Sequence, residues 1–148
     1  MRKRNPGVIC RNRIAPCGMN CALCIGYLRS KNRCDGCRSS DGIVPEYCKK
    51  CVIRNCKKLS KFRRPFCFEC DTFPCSRLKR LDKRYRTKCG MSMLANLESI
   101  RDSGIRKFVR NERIRWECGN CGAVLSVHRK DCIYCGHGKC TTQLNPEP

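Results

Sequence analysis

Along most of this chain cysteines stand in pairs two residues apart, and that spacing limits what it can fold into more than any other feature. The first run takes in Cys17, Cys21 and Cys24, the pairs Cys34/Cys37 and Cys48/Cys51, then Cys56, the pair Cys67/Cys70 and Cys75. A second, shorter run holds Cys118/Cys121 and Cys132/Cys135. A Cys-x2-Cys turn sets two sulfurs on one side of a tight knuckle, as a tetrahedral metal ion requires. With 18 cysteines in 148 residues and aromatics at 7%, little is left for a conventional core, so staples are needed.

Metal and disulfide staples belong to opposite redox compartments. The opening Met1-Arg2-Lys3-Arg4-Asn5-Pro6 leads into no apolar run of signal length, and no 18-residue apolar stretch follows. The expectation is a cytoplasmic chain without a membrane span, whose thiols stay reduced and bind metal.

In chain order the cysteines divide into fours. Cys118, Cys121, Cys132 and Cys135 form a zinc ribbon, with Gly122 to His128 read as its strand and Trp116 just ahead of it. Cys34, Cys37, Cys48 and Cys51 repeat the same ten-residue loop. Cys56, Cys67, Cys70 and Cys75 make a third set. Cys17, Cys21 and Cys24 take Cys10 as the nearest fourth ligand. The knuckles can also pair crosswise, so ligand identity is firmer than grouping. Cys89 and Cys140 are ordinary thiols, His128 a packed or surface imidazole, and His137 a turn residue.

All-sulfur sites select zinc or iron. About four zinc ions are expected, with an iron-sulfur cluster as the alternative. Zinc held by four thiolates is closed and structural, which leaves no open position for catalysis. The spacing Cys17-x3-Cys21-x2-Cys24 is also the one by which S-adenosylmethionine radical enzymes hold a cluster, but the βα alternation of their barrel is missing. The acids are scattered among cations and no Ser-His pairing is suggested, so an enzyme is not indicated.

The fold class expected is a small metal-stabilised α+β protein of zinc knuckles and ribbons, with short helices and hairpins and little conventional core. A basic arm over residues 1–16 precedes a cysteine-rich domain over 17–90, which ends in a basic helix from Ser76. A helical linker spans 91–115, capped by Ser92 and broken at Gly104, with Leu94, Leu97 and Ile100 or Ile105 facing inward from the first helix and Phe108, Val109 and Ile114 from the second. The ribbon takes 116–137 and a tail 138–148. Within the second domain, Cys48-x2-Cys51-x4-Cys56-x2-Leu59 recurs as Cys67-x2-Cys70-x4-Cys75-x2-Leu78.

Lys and Arg number 33 against 12 acids, a net charge of +21. Sixteen thiolates against four divalent ions would still leave about +13, above the range of about 2 to 8 that solubility asks for. Such a surface attracts polyanions, of which nucleic acid is the commonest. The expected phosphate contacts are Arg2, Lys3, Arg4, Arg11 and Arg13 in the arm and Lys57, Lys58, Lys61, Arg63 and Arg64 between the repeats. On the basic helix they are Arg77, Arg80, Lys83, Arg84 and Arg86, where Leu78, Leu81 and Tyr85 face inward. Phe62, Phe66 and Tyr85 are placed to stack on bases.

Several segments together resemble a known group of proteins: Pro16-Cys17-Gly18-x2-Cys21-x2-Cys24, Cys34-Asp35-Gly36-Cys37, Cys48-x2-Cys51-Val52-Ile53-Arg54-x-Cys56 and Cys67-x2-Cys70-Asp71-x-Phe73-Pro74-Cys75-x2-Leu78. The run is similar to the uncharacterised, cysteine-rich, zinc-ribbon-like proteins widespread in archaea and anaerobic bacteria. The likeness extends from residue 14 to 137, through Arg84-Tyr85-Arg86-Thr87-Lys88, Gly90-Met91-Ser92 and the ribbon. It implies metal binding and supplies no established activity. Cys10 and Cys89 depart from the pattern, and the basic arm and helix are heavier than it requires.

That excess of cations leads to the functional expectation, a non-enzymatic, multi-zinc protein that binds RNA. Its partners would be ribosomal RNA and ribosomal proteins, with no membrane and no small-molecule substrate. The rivals are an iron-sulfur protein, a metallochaperone or adaptor of anaerobic metabolism, and a DNA-binding regulator. The last would need a recognition helix and a dimer seam, neither of which is found.

Overall fold

The computed structural model describes residues 9–29, 31–39, 42–62 and 65–139. Two one-turn helices, α1 (Ile25–Leu28) and α2 (Glu46–Lys49), sit beside the cysteine knuckles, followed by three longer ones, α3 (Ser76–Cys89), α4 (Met93–Ser103) and α5 (Ile105–Arg115). About 44% of the described residues are helical. None of the helices is long and apolar enough to cross a membrane.

The expected hairpins are not formed. Among the described residues the only β pairings are isolated bridges, Ile14 with Asn20, Glu117 with Val124 and Asp131 with Gly138. In place of a strand over Gly122 to His128, the backbone donates to scattered acceptors: Leu125 N–H to the Trp116 carbonyl and Val127 N–H to the Leu23 carbonyl. Donors spread over separate neighbours build no ladder.

A conventional core exists, and the expected linker supplies its centre. α4 packs on both α3 and α5. It buries Met93, Leu97 and Ile100, while α3 contributes Leu78 and α5 Phe108 and Val109. Ile14, Leu23, Met91, Trp116 and Leu125 complete it from the loops. Each large side chain buried this way is worth about 1.5–3 kcal/mol. The helix boundaries follow local chemistry: the Ser92 hydroxyl accepts from Ala95 N–H at 3.0 Å, and Gly104, at φ +86°, separates α4 from α5.

Two acids depart from the amphipathic pattern. Asp82, the lone acid among the cations of α3, is buried and accepts from Ser92 Oγ at 2.7 Å, Leu94 N–H at 3.0 Å and Arg86 Nε at 2.7 Å. It thereby joins α3 to the N-terminus of α4, where a carboxylate is favoured. Glu112 is buried in α5 while Ile114, expected inside, lies exposed, because the Glu112 carboxylate accepts from Trp116 Nε1 at 2.9 Å. Burial raises the Glu112 pKa, opposed by Arg115 and by hydrogen bonds from Trp116 and Asn20.

Residues 9–16 of the expected basic arm are packed rather than extended. Ile9, Ile14 and Ala15 are buried, a 3-10 turn covers Arg11–Arg13, and Arg113 Nε donates to the Ile9 carbonyl at 2.9 Å. Arg2, Lys3 and Arg4 lie outside the described residues. At the end of this segment Gly18, at φ +89°, passes so close to α4 that a Cβ there would meet the Met93 carbonyl oxygen at 2.8 Å. Asn96 Nδ2 fixes the approach by donating to the Gly18 carbonyl at 3.0 Å.

Candidate metal centre

The C-terminal centre is built from one turn used twice. Cys118 N–H donates to the Ala123 carbonyl and Gly122 N–H to the Cys118 carbonyl; Cys132 N–H donates to the His137 carbonyl and Gly136 N–H to the Cys132 carbonyl. Gly122 (φ +74°) and Gly136 (φ +76°) hold the left-handed position that closes each turn. The two knuckles face each other. Cys118 and Cys135 sulfurs are 3.6 Å apart, Cys121 and Cys132 sulfurs 3.7 Å, and all four lie within 4.8 Å of one another. Four sulfurs gathered this closely could hold a metal ion.

The proton balance of the four is uneven. The side chain of Asn120 and the amide of His137 stabilise the Cys135 thiolate and bring its pKa down to about 6. At Cys121 the Ala123 amide also favours the thiolate, but desolvation and the thiols of Cys132, Cys135 and Cys118 push the pKa up to about 11. Near neutral pH the metal-free centre therefore keeps protons that a metal must displace. Calorimetric titration at pH 7.5 should give binding heats that depend on the ionisation enthalpy of the buffer. Equal heats in phosphate and Tris would contradict this.

In the first run, Cys56, Cys67, Cys70 and Cys75 line one cavity of about 40 Å³, together with Leu59 and Leu78. The first copy of the internal repeat thus gives its last cysteine and its leucine, and the second copy all three cysteines and its leucine, to one small space. Burial, reinforced by Cys17, Cys75, Cys56 and Cys70, pushes the Cys67 thiol up to about 12. These sulfurs are less tightly drawn than the C-terminal four, which alone among the described residues meet within 4.8 Å.

The other seven cysteines interleave. Cys34 N–H donates to the Gly26 carbonyl at 2.8 Å, folding the chain back over α1. Cys24 Sγ and Cys34 Cβ flank Gly26, each 3.5 Å from where a Cβ would stand. The Cys37 thiol bonds to Cys21, and that bond together with burial raises its pKa. Burial pushes Cys17 up to about 12, with Cys37 and Cys51 adding to it. Burial likewise lifts Cys48 to about 11, reinforced by Cys37, Cys34, Cys24 and Cys51. The Cys34/Cys37 and Cys48/Cys51 knuckles are therefore not set apart from the Cys17, Cys21, Cys24 triplet. Cys10 heads the turn that packs on α5, and the leading sulfur neighbours of Cys17 and Cys24 are Cys37, Cys51 and Cys34.

Arginines fasten these knuckles. Arg54 donates to the carbonyls of Cys37 and Ser39, Arg38 to those of Ile14 and Pro65, and Arg13 to that of Asp35. Arg13 also lies 4.5 Å over the Tyr27 ring. Reading residues by charge alone put Arg13 among the phosphate contacts and passed over Arg38 and Arg54.

The expected nucleic-acid contacts divide. Arg11, Lys57, Lys58, Lys61, Arg77, Arg80, Lys83 and Arg84 are exposed, Arg86 is paired with Asp82, and Arg63 and Arg64 lie outside the described residues. The aromatics are already occupied. Phe66 stacks on Phe68 at 5.5 Å and has Arg38 over its ring at 4.7 Å, Lys61 lies 5.3 Å over Phe62, and the Tyr85 hydroxyl is hydrogen-bonded to His128 Nε2 at 3.3 Å.

The described chain is thus a small, mostly helical, cysteine-rich protein with a four-cysteine centre that could hold a metal ion. Its residues 13–80 match the model of a family described as a protein of unknown function (DUF3795), so the likeness carried by the first cysteine run is to an uncharacterised family with no established activity. The match begins at Arg13 and ends in α3, before the C-terminal centre. No curated protein and no solved structure matches the chain.

Proposed function

We propose that this is a non-enzymatic, multi-zinc protein that binds RNA and works on or beside the ribosome. The observation that carries the reading is the outer face of α3. Arg77, Lys79, Arg80, Lys83 and Arg84 are exposed there, and no ion pair engages them among the described residues. Cations held on a rigid helix without acidic partners suit a phosphate backbone. Zinc suits the C-terminal centre, because bonds of about 2.3 Å to four sulfurs give a tetrahedron with edges of about 3.8 Å, close to the 3.6 and 3.7 Å separations found.

Replacing Arg77, Arg80 and Arg84 together by Ala should flatten the dependence of log affinity on log salt by about two for single-stranded RNA. Arg86 is left in place, since its loss would also disturb Asp82. Absence of RNA from protein purified at moderate salt, with no sedimentation with ribosomes, would end this reading. Equal affinity for duplex DNA would favour a DNA-binding role.

A second reading, an iron-sulfur protein or a metal carrier, draws on the seven interleaved cysteines between Cys17 and Cys51. That is more sulfur in one place than a single tetrahedral ion needs. Brown colour after anaerobic purification, with absorption near roughly 400 nm, would select it over zinc.

A further inference from the structure

Between α1 and the C-terminal module lies a cleft of about 630 Å³. One wall carries Arg29 and Lys31, the other Arg129 and Lys130, so cations far apart in the chain face one another. Asp131 is the one acid lining it, and Ile25 and Ile133 supply apolar surface. The cleft leaves a net three positive charges facing solvent, and none of its four cations belongs to the expected phosphate contacts.

Its walls are pinned together. The Leu23 carbonyl accepts from Val127 N–H at 2.9 Å and from Ser126 Oγ at 3.0 Å, and Ile25 N–H donates to His128 Nδ1 at 3.3 Å. Arg29 Nε donates to the Asn32 carbonyl, which steadies its guanidinium and leaves other N–H groups free. Among the described residues no hydrogen bond or ion pair engages the side-chain nitrogens of Lys31, Arg129 or Lys130. Like charges across a cleft repel within a screening length of about 8–10 Å, and an anion between them relieves that repulsion. The volume falls in the range of about 300–1,000 Å³ typical of ligand sites.

We infer that this cleft binds phosphate groups and, resting on the RNA reading above, that these belong to an RNA backbone passing between the two cysteine modules. The test uses the full metal-loaded chain, a single-stranded oligouridylate and inorganic tripolyphosphate as probes. It compares wild type with Lys31→Ala/Arg129→Ala/Lys130→Ala, and with Lys31→Glu alone as the milder variant. Metal content and Trp116 emission confirm that each variant is folded.

The triple variant should bind tripolyphosphate about tenfold or more weakly, and its salt dependence for RNA should flatten by about two. Tripolyphosphate affinity unchanged in both variants overturns the cleft, whatever RNA does. Loss of tripolyphosphate binding in the variants, from a wild type that binds no RNA, keeps the phosphate site and removes the RNA reading. RNA binding that responds to the α3 substitutions but not to these keeps the RNA reading and removes the cleft. Tripolyphosphate that fails to compete with RNA for the wild type places the RNA backbone elsewhere and overturns the path proposed for it.

Discussion

Cys132→Ser should empty the C-terminal centre and unfold the segment from Trp116 onward. Cys132 is buried, with its sulfur 3.7 Å from that of Cys121. The module has only isolated bridges to hold its backbone. Its own buried apolar side chains are few, chiefly Ala123, Leu125 and Val127. Apparent binding energies of about 10–16 kcal/mol are typical of structural zinc in small modules, and there binding energy is folding energy. The sequence contains one tryptophan, and it is buried under this module with its Nε1 bonded to Glu112. Metal content should fall by one ion per chain and Trp116 emission should shift to the red. Unchanged metal content and unchanged emission would remove Cys132 from the ligand set.

Gly18→Ala should destabilise the whole protein by about 3 kcal/mol. An L-residue in left-handed backbone costs about 1–2 kcal/mol, and Gly18 stands at φ +89°. A new Cβ would lie 2.8 Å from the Met93 carbonyl oxygen and 2.9 Å from Leu97 Cγ. One is backbone at the start of α4 and the other a fully buried side chain, so neither yields without moving the helix; overpacking of this kind costs about 1–3 kcal/mol. Denaturant unfolding of the metal-loaded protein measures the effect. A midpoint equal to that of wild type would mean that the Cys17-Gly18 turn and α4 are less closely joined than described.

Some of this was legible in the residues. Ser92 and Gly104 mark helix ends through their own backbone chemistry, so the boundaries of α4 and α5 followed directly. The C-terminal cluster of four cysteines was legible because two Cys-x2-Cys-Gly turns carry their geometry locally. Asp82 and Glu112 were not, since a carboxylate on a cationic helix reads as solvated until a second element brings hydroxyl, amide or indole donors to it. Nor was the interleaving of Cys17 to Cys51, because it depends on the Cys34 amide reaching back to Gly26. The work of Arg38 and Arg54 was not legible either: charge points to an anionic ligand, while they bind backbone carbonyls, Arg38 those of Ile14 and Pro65 and Arg54 those of Cys37 and Ser39.

The doubly used carbonyl of Leu23 bears on how the protein can be divided for experiment. A cut ahead of Trp116 looks natural from the cysteine spacing, since it separates one set of knuckles from the other. It would remove both donors to that oxygen and the buried indole beneath Leu125. The N-terminal piece would then be left with an unanswered acceptor and an exposed apolar face. An insoluble or metal-poor fragment spanning residues 1–115 would thus report the cut rather than the properties of the first cysteine run, and ligand mapping belongs in the intact chain.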